Sequence, residues 1–391
     1  MTAPGLAPRL RVAFLARRFG KRFGGAEAYA EHLLAELARW HDIQVFCQEW
    51  DSALALPHVV LPRLPGLPRW LNLWRFSRQC AALTNGFDLV HSHENAPTGH
   101  VHGVHVMPVR HARQVRDTTW AKRVGTALSP RWQAYLRLEA ARYRPAPDKV
   151  LVAASALIDA QIGQAYAHTA RRVVITPGVA VPDGLPDRAD ARRQLGLDPD
   201  VTLAVLVAND PWRKGLATIV AAMQQPSARP WHLLVVGGEA DTAERVRDAA
   251  RAAGLAGRVH AWPGRRDVWP FYVAADIGVF PTRGDAFGMV PLETMALGRP
   301  VILSDSRYCG FAAHVTHGQD AWVLPAPEDA SALAHAIDCL QTDAALAQRL
   351  GAGGLALAAR FSWPALAGAM AAEYGRIWQV RQGLVAAGPT R

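Results

Sequence analysis

The chain has 391 residues, half of them hydrophobic and 19% charged, which excludes a disordered protein and exceeds what one hydrophobic core ordinarily serves. Its net charge of +10 is unevenly held: residues 1–180 contain 23 Lys+Arg against 12 Asp+Glu, the remainder 20 against 21. A basic half of this kind suits nucleic acid, a phosphorylated substrate or a membrane surface, unless it reflects only an arginine-rich composition.

No run of about 18 or more uncharged apolar residues stands out, so no membrane-crossing helix is predicted. The opening MTAPGLAPRLRVAFLARRFG lacks the apolar stretch of a signal peptide. Cys47, Cys80, Cys309 and Cys339 form no CxxC or metal-ligand spacing, and a reduced cytoplasmic protein is expected.

In chain order, LRVAFLA (10–16) reads as a strand, RRFGKRFGG as a loop, AEAYAEHLLAELARW (26–40) as a helix and IQVFCQ (43–48) as the next strand. That is the βαβ pattern of a parallel sheet. FDLVHSH (87–93), DKVLVAAS (148–155) and RRVVITPGV (171–179) are further short strands. The polar stretch 181–200 reads as a linker and the entry to a second domain. Strands at 201–209, 232–238, 258–264, 277–282 and 300–305 then alternate with helices near 215–224, 241–253, 290–297 and 328–341. A last amphipathic helix is predicted over 361–380. Two such runs predict an α/β protein of two doubly wound, Rossmann-like parallel sheets, with ligands beyond the carboxyl ends of the strands in a cleft between the domains.

Four stretches carry chemistry. In PTRGDAFGMVPLETMALGRPVI (281–302), a strand ends in a loop holding Asp285, and Pro291 and Gly298 bracket a helix holding Glu293. The N–H groups of Phe287, Gly288, Met289 and Val290 then lie at a helix N-terminus, a site for a diphosphate. Carboxylates there suit hydroxyls, Glu293 those of a ribose and Asp285 those of a sugar. A helix cap and an Asx turn use the same residue types, and spacing alone does not choose. In VANDPWRKG (207–215), Arg213 and Lys214 suit a diphosphate leaving group, or are solvated surface. Gly24 and Gly25 before the first helix allow close approach of a phosphate or sugar, or form only a turn. The segments HSHEN (91–95) and GHVHGVH (99–105) straddle a strand end and a loop; they lack the partners of a metal site and suggest one or two histidines lining a ligand.

Together these stretches resemble the retaining family 4 glycosyltransferases of the GT-B fold. Their hallmark of an acid, seven residues and Glu appears as Asp285-Ala-Phe-Gly-Met-Val-Pro-Leu-Glu293, beside ITPGV, RKG, VVGG and PGRRDVWPFYVAADIGVFPT. FGGAEAY, NDPWRKG and QEWDS are similar to segments of the bacterial lipopolysaccharide core glucosyltransferases. The resemblance implies an acceptor-binding domain over 1–182, a nucleotide-sugar-binding domain over 183–360, and a C-terminal helix and tail over 361–391 packing back toward the first. It implies metal-independent transfer of a hexose, expected to be glucose, from UDP-glucose to an anionic glycan or glycolipid acceptor, with front-face attack and no side-chain base.

On this resemblance Asp285, Glu293, Arg213, Lys214 and His105 are the catalytic set, His105 being the best match to the family's donor-contacting histidine ahead of His100 and His102. Gly24, Gly25, Asn209, Arg265 and Phe287–Val290 join Glu293 in holding the donor. Asp285 stands where the family usually has Glu, one methylene longer, which opens the donor sugar to question. Asn209 stands where many relatives have Arg, leaving Arg213 and Lys214 to neutralise the diphosphate. ADP-heptose, a GDP-sugar or another acceptor are alternatives within the fold. For the acceptor or an anionic inner-membrane surface, the candidates are Arg69, Trp70, Trp74 and Arg75, mixed with Arg63, Arg78, Leu71 and Phe76, and Arg110, Arg113 and Arg116. The same pattern also suits an ordinary amphipathic helix packed on its own domain. A peripheral place on the cytoplasmic face of that membrane is expected. The arginines are not interleaved as in an RNP strand, so no nucleic-acid partner is expected.

Overall fold

The computed structural model describes residues 8–20, 23–116, 119–226 and 229–383. The chain divides into two compact units, one running to Gly178 and resuming at Trp363, the other spanning Val179–Ser362.

In the first unit the strands are β1 (Arg11–Leu15), β2 (Arg18–Phe19), β3 (Asp42–Cys47), β4 (Glu49–Trp50), β5 (His58–Val60), β6 (Leu89–Ser92), β7 (Val101–Val104), β8 (Val150–Ala153) and β9 (Arg171–Val174). Seven of them form one parallel sheet in the order β5-β3-β1-β6-β7-β8-β9, and β2 pairs with β4. β6, β7 and β8 are buried at every position, as expected of strands covered on both faces. The covering helices are α1 (Gly25–Leu37), α2 (Arg69–Leu83), α3 (Trp120–Leu128), α4 (Pro130–Tyr143) and α5 (Ala156–Ala165). α2 turns Phe76 and Cys80 onto Ala13, Leu15, Phe46 and Val90 of the sheet.

β7 corrects the reading of the histidine cluster as a strand end and loop. Its VHGV has little of the β-branched and aromatic signal of a strand, yet His102 lies fully buried in it, with Nε2 3.1 Å from the Gly99 carbonyl.

The second unit holds a parallel sheet of β10 (Thr202–Val207), β11 (Trp231–Val236), β12 (Val259–Trp262), β13 (Ile277–Phe280), β14 (Val301–Ser304) and β15 (Trp322–Leu324), in the order β12-β11-β10-β13-β14-β15. Its helices are α6 (Arg188–Leu195), α7 (Leu216–Met223), α8 (Ala240–Ala252), α9 (Trp269–Ala274), α10 (Met289–Ala296), α11 (Ala330–Thr342) and α12 (Ala344–Ala358). α6 lies inside the stretch read as a linker. Asp187 caps it by accepting from the Asp190 N–H, and Gly196 ends it in the left-handed conformation.

α13 (Trp363–Arg381) belongs to the first unit and packs on α1. Its Leu366, Met370, Tyr374 and Ile377 are buried. Residues 344–381 are long and apolar enough by composition to cross a membrane. They fold instead as two helices, and α12 buries Leu350 and Leu357 within the second unit.

Candidate functional site

In the second unit the strand order reverses between β10 and β13, where α/β sheets open a crevice at their carboxyl ends. The loops leaving these two strands carry Lys214 and Asp285. Gly215, with φ +97°, lets the loops meet: a Cβ there would stand 2.2 Å from the Pro281 carbonyl oxygen. Lys214 Nζ donates to Asp285 Oδ2, and both side chains are three-quarters or more shielded from solvent. Arg213 and Asn209 are exposed in the same loop. Arg265, in the loop after β12, is exposed too.

Backbone hydrogen bonds fix the Asp285 loop to the segment after β14. The Asp285 N–H donates to the Tyr308 carbonyl at 2.7 Å, and the Gly310 N–H donates to the Asp285 carbonyl at 3.2 Å. Phe287 is buried against Phe311, ring centroids 5.5 Å apart, and its carbonyl accepts from the Phe311 N–H and the Cys309 thiol. Gly288 precedes α10 at φ +109°, and a Cβ there would lie 2.7 Å from Cys309 Sγ. The N–H groups of Gly288, Met289 and Val290 make no hydrogen bond among the described residues. They form the positive end of α10, open to an anion.

Glu293 sits one turn into α10, so it does not cap the helix; Gly288 holds the capping position. Its Oε2 accepts from the hydroxyl of Tyr272 on α9 at 2.7 Å. Desolvation pushes its carboxyl up to about 7, against the lowering effect of the Tyr272 hydrogen bond. Tyr272 was missed in the sequence. Nothing in FYVAAD distinguishes an aromatic whose hydroxyl holds an acid from one that only fills a core.

In the first unit Gly24 caps α1 at φ +146°, and its carbonyl accepts from the Ala28 N–H at 2.9 Å. A Cβ on Gly25 would meet nothing within 4 Å. His105 stands beyond β7 with its Nε2 3.4 Å from His93 Nε2 and its ring 4.4 Å from that of Tyr29. Burial, then the Arg142 charge, holds the His105 imidazole down to about 3. Burial, then the His105 charge, holds His93 well below its ordinary value, so both imidazoles are neutral at ordinary pH and one donates to the other.

The basic residues divide by exposure. On α2, Arg69 and Trp74 are exposed, Trp70, Leu71 and Arg75 are half-buried, and Phe76 is a core residue. Arg78 stacks over the Trp74 ring at 4.9 Å. α2 thus serves the core with one face and presents aromatic and cation with the other. Arg110 lies over Tyr166 at 4.8 Å and Arg113 over Trp132 at 4.1 Å, while Arg116 is exposed. Trp120 and Leu128 of α3 are each 78% exposed. No group of three or more His, Cys, Asp or Glu able to hold a metal occurs among the described residues.

A Glycosyltransferase Family 4 profile matches residues 23–181, and a profile for Glycosyl transferases group 1 matches residues 201–343. A D-inositol 3-phosphate glycosyltransferase of Segniliparus rotundus is 33% identical over 223 residues, 54% of this chain and 48% of that protein, so the match spans about half that relative's length. The lipopolysaccharide glucosyltransferase WaaG of Escherichia coli is 26% identical over 326 residues, 78% of this chain and 83% of that protein. A solved structure of WaaG superposes with a TM-score of 0.75 at 21% identity, over 92% of this chain and 98% of that one. HepE of Anabaena, solved with UDP-glucose, superposes with a TM-score of 0.71 at 19% identity, over 93% and 99%. The two solved structures share the fold of this chain.

Proposed function

Because the chain belongs to the family 4 and group 1 glycosyltransferases and has their GT-B fold, we propose that it moves a hexose, glucose in the first instance, from a UDP-sugar to a lipopolysaccharide core or related surface-glycan acceptor. The observation that carries the donor half is an open helix N-terminus at Gly288–Val290, in the same loop as Asp285, the partner of Lys214, where the strand order reverses. Free N–H groups and a cation carried by these neighbouring loops suit a departing diphosphate. Glu293 takes the ribose and Asp285 the sugar hydroxyls. Arg213, Asn209 and Arg265 reach the diphosphate from exposed loops. For the first unit, the roles of Gly24, Gly25 and His105 are those that the family resemblance implies.

Transfer proceeds with retention and without a metal. The bond from the anomeric carbon to the phosphate oxygen breaks as the acceptor oxygen bonds to the same face, and the acceptor's proton passes to the leaving phosphate. UDP-glucose is the first donor to try because HepE, of the same fold, was solved with it. The acceptor reading rests on the WaaG likeness over most of both chains. A second reading, a phosphorylated polyol acceptor, is favoured by the 33% identity to the inositol phosphate enzyme. The enzyme acts at the cytoplasmic face of the inner membrane.

Thermal unfolding against UDP-, GDP-, ADP- and CMP-sugars with EDTA present tests the donor. At about a hundred times its Kd a true donor stabilises the fold by roughly 2.7 kcal/mol. A selective rise with one UDP-sugar, lost in Glu293→Ala, is expected. A rise with every nucleotide alike, or with none, sinks the UDP-sugar reading. Turnover of that donor with heptose-bearing core glycolipid or with inositol phosphate separates the two acceptors, and the anomeric proton coupling of the product reads the stereochemistry.

A further inference from the structure

Resting on the reading of Glu293 as a nucleotide contact, we infer that Tyr272 is a positioning residue that reserves one oxygen of Glu293 for the donor, so that nucleotide binding and protonation compete for the same carboxylate oxygen. The geometry is specific. Tyr272 is fully buried on α9, with its ring edge-on to Trp269 at 5.8 Å, and its hydroxyl donates to Oε2 of Glu293 at 2.7 Å. Burial, reinforced by the Glu293 charge, pushes the phenol well above its ordinary value, so it stays an O–H donor at neutral pH. Oε2 is thus committed. A proton arriving on the carboxylate goes to Oε1, the oxygen left to accept a hydroxyl from the nucleotide.

Among the described residues no other titratable group offsets this competition. On the elements packed against α10, the Cys309 thiol bonds the Phe287 carbonyl and the His314 ring lies against Phe361. Arg349 of α12 donates to the Gly318 carbonyl, and Asp285 is paired with Lys214. Burial and the Tyr272 hydroxyl are the two influences on Glu293, and they hold its carboxyl at about 7, within the physiological range. Binding at Oε1 therefore releases a proton, and nucleotide affinity rises with pH through neutrality.

The test is calorimetric binding of UDP, with ADP and GDP in parallel, to the full chain from about pH 6 to about pH 9. Tyr272→Phe keeps the ring and deletes a hydrogen bond that favours the charged carboxylate. Its affinity curve should move up by about one to two pH units, a loss of roughly three- to twenty-fivefold near pH 7.5 that shrinks to about twofold or less near pH 9. In Glu293→Gln the pH dependence should vanish. A loss equal at every pH in Tyr272→Phe, or a wild-type affinity flat across the range, overturns the proposal.

Carboxyl-carbon NMR of the ligand-free protein gives an arm independent of the ligand. The resonance missing in Glu293→Gln should titrate near neutrality and move up in Tyr272→Phe. Titration in the ordinary carboxylate range overturns the coupling. If that resonance behaves as expected but no nucleoside diphosphate binds, the donor reading fails and the competition fails with it, while the Tyr272–Glu293 coupling stands.

Discussion

Lys214 and Asp285 are 71 positions apart in the chain and joined in the fold. Each was legible in the sequence as a candidate, Lys214 from the cations at the end of β10 and Asp285 from its spacing to Glu293, but their pairing was not. It depends on β10 lying beside β13 and on Gly215 allowing their loops to touch, and strand order is a non-local property that no window of sequence contains. The pairing also gives Lys214 a sharper role than an open cation. Its charge is balanced by a carboxylate, and on the proposed reading a diphosphate competes for it, so that one residue would serve both fold and turnover. Lys214→Ala should lower kcat/KM by about 10²–10³-fold, the loss typical of one electrostatic donor to a leaving group. It also strands Asp285 without its partner. Asp285→Asn in the same background should recover stability but not rate. Equal recovery of both would mean that Lys214 only neutralises Asp285.

At the scale of elements, every strand expected from the sequence is present, as β1, β3, β6 and β8–β14, and β10, β11 and β14 announce themselves most plainly by apolar, β-branched composition. β7 did not, because its core positions are held by histidine and glycine. Its burial has an energetic consequence that composition would not suggest. His91 on β6, His93 just beyond it, and His102 and His105 on and after β7 are all held below the ordinary imidazole range, chiefly by desolvation. The folded state therefore refuses protons that the unfolded chain accepts near pH 6.5. With the unfolded state binding more protons, stability falls as pH drops below that value, by about 1.4 kcal/mol per pH unit for each such histidine. Urea unfolding followed between about pH 7.5 and pH 5 should show the first unit losing stability more steeply than the second. The second unit carries the opposite linkage in Glu293, whose raised carboxyl makes its folded state take up a proton between its ordinary value and about 7. The second unit also has histidines lowered by burial, His232, His260 and His314, so the prediction is a steeper loss in the first unit. A first unit whose stability does not fall between about pH 7.5 and pH 5 would mean that its histidines are not held neutral in the fold.

Over the whole molecule, the charge imbalance seen along the sequence sharpens when drawn along structural boundaries. The unit that runs to Gly178 and resumes at Trp363 holds 26 Lys+Arg against 13 Asp+Glu, the other 17 against 20. Adding α13 to the first unit raises its excess. The exposed apolar side chains include Trp74 and Leu83 of α2, Trp120 and Leu128 of α3, and Val106 and Val115 between β7 and α3, all in the basic unit. Cations near an anionic bilayer contribute about 1 kcal/mol each, and an aromatic ring beside them adds interfacial burial. The two contributions respond differently to salt, because screening weakens the charge term and leaves the apolar term. Flotation with anionic vesicles at low salt should recover the protein, and neutral vesicles should not. High salt should release most of it. Trp74→Ala and Trp120→Ala should each reduce recovery at both salt levels without altering the fold, since neither ring is buried in a core. Equal recovery with neutral lipid would remove the electrostatic account and leave the basic surface to an anionic acceptor. Recovery unaffected by the tryptophans would confine any attachment to charge alone.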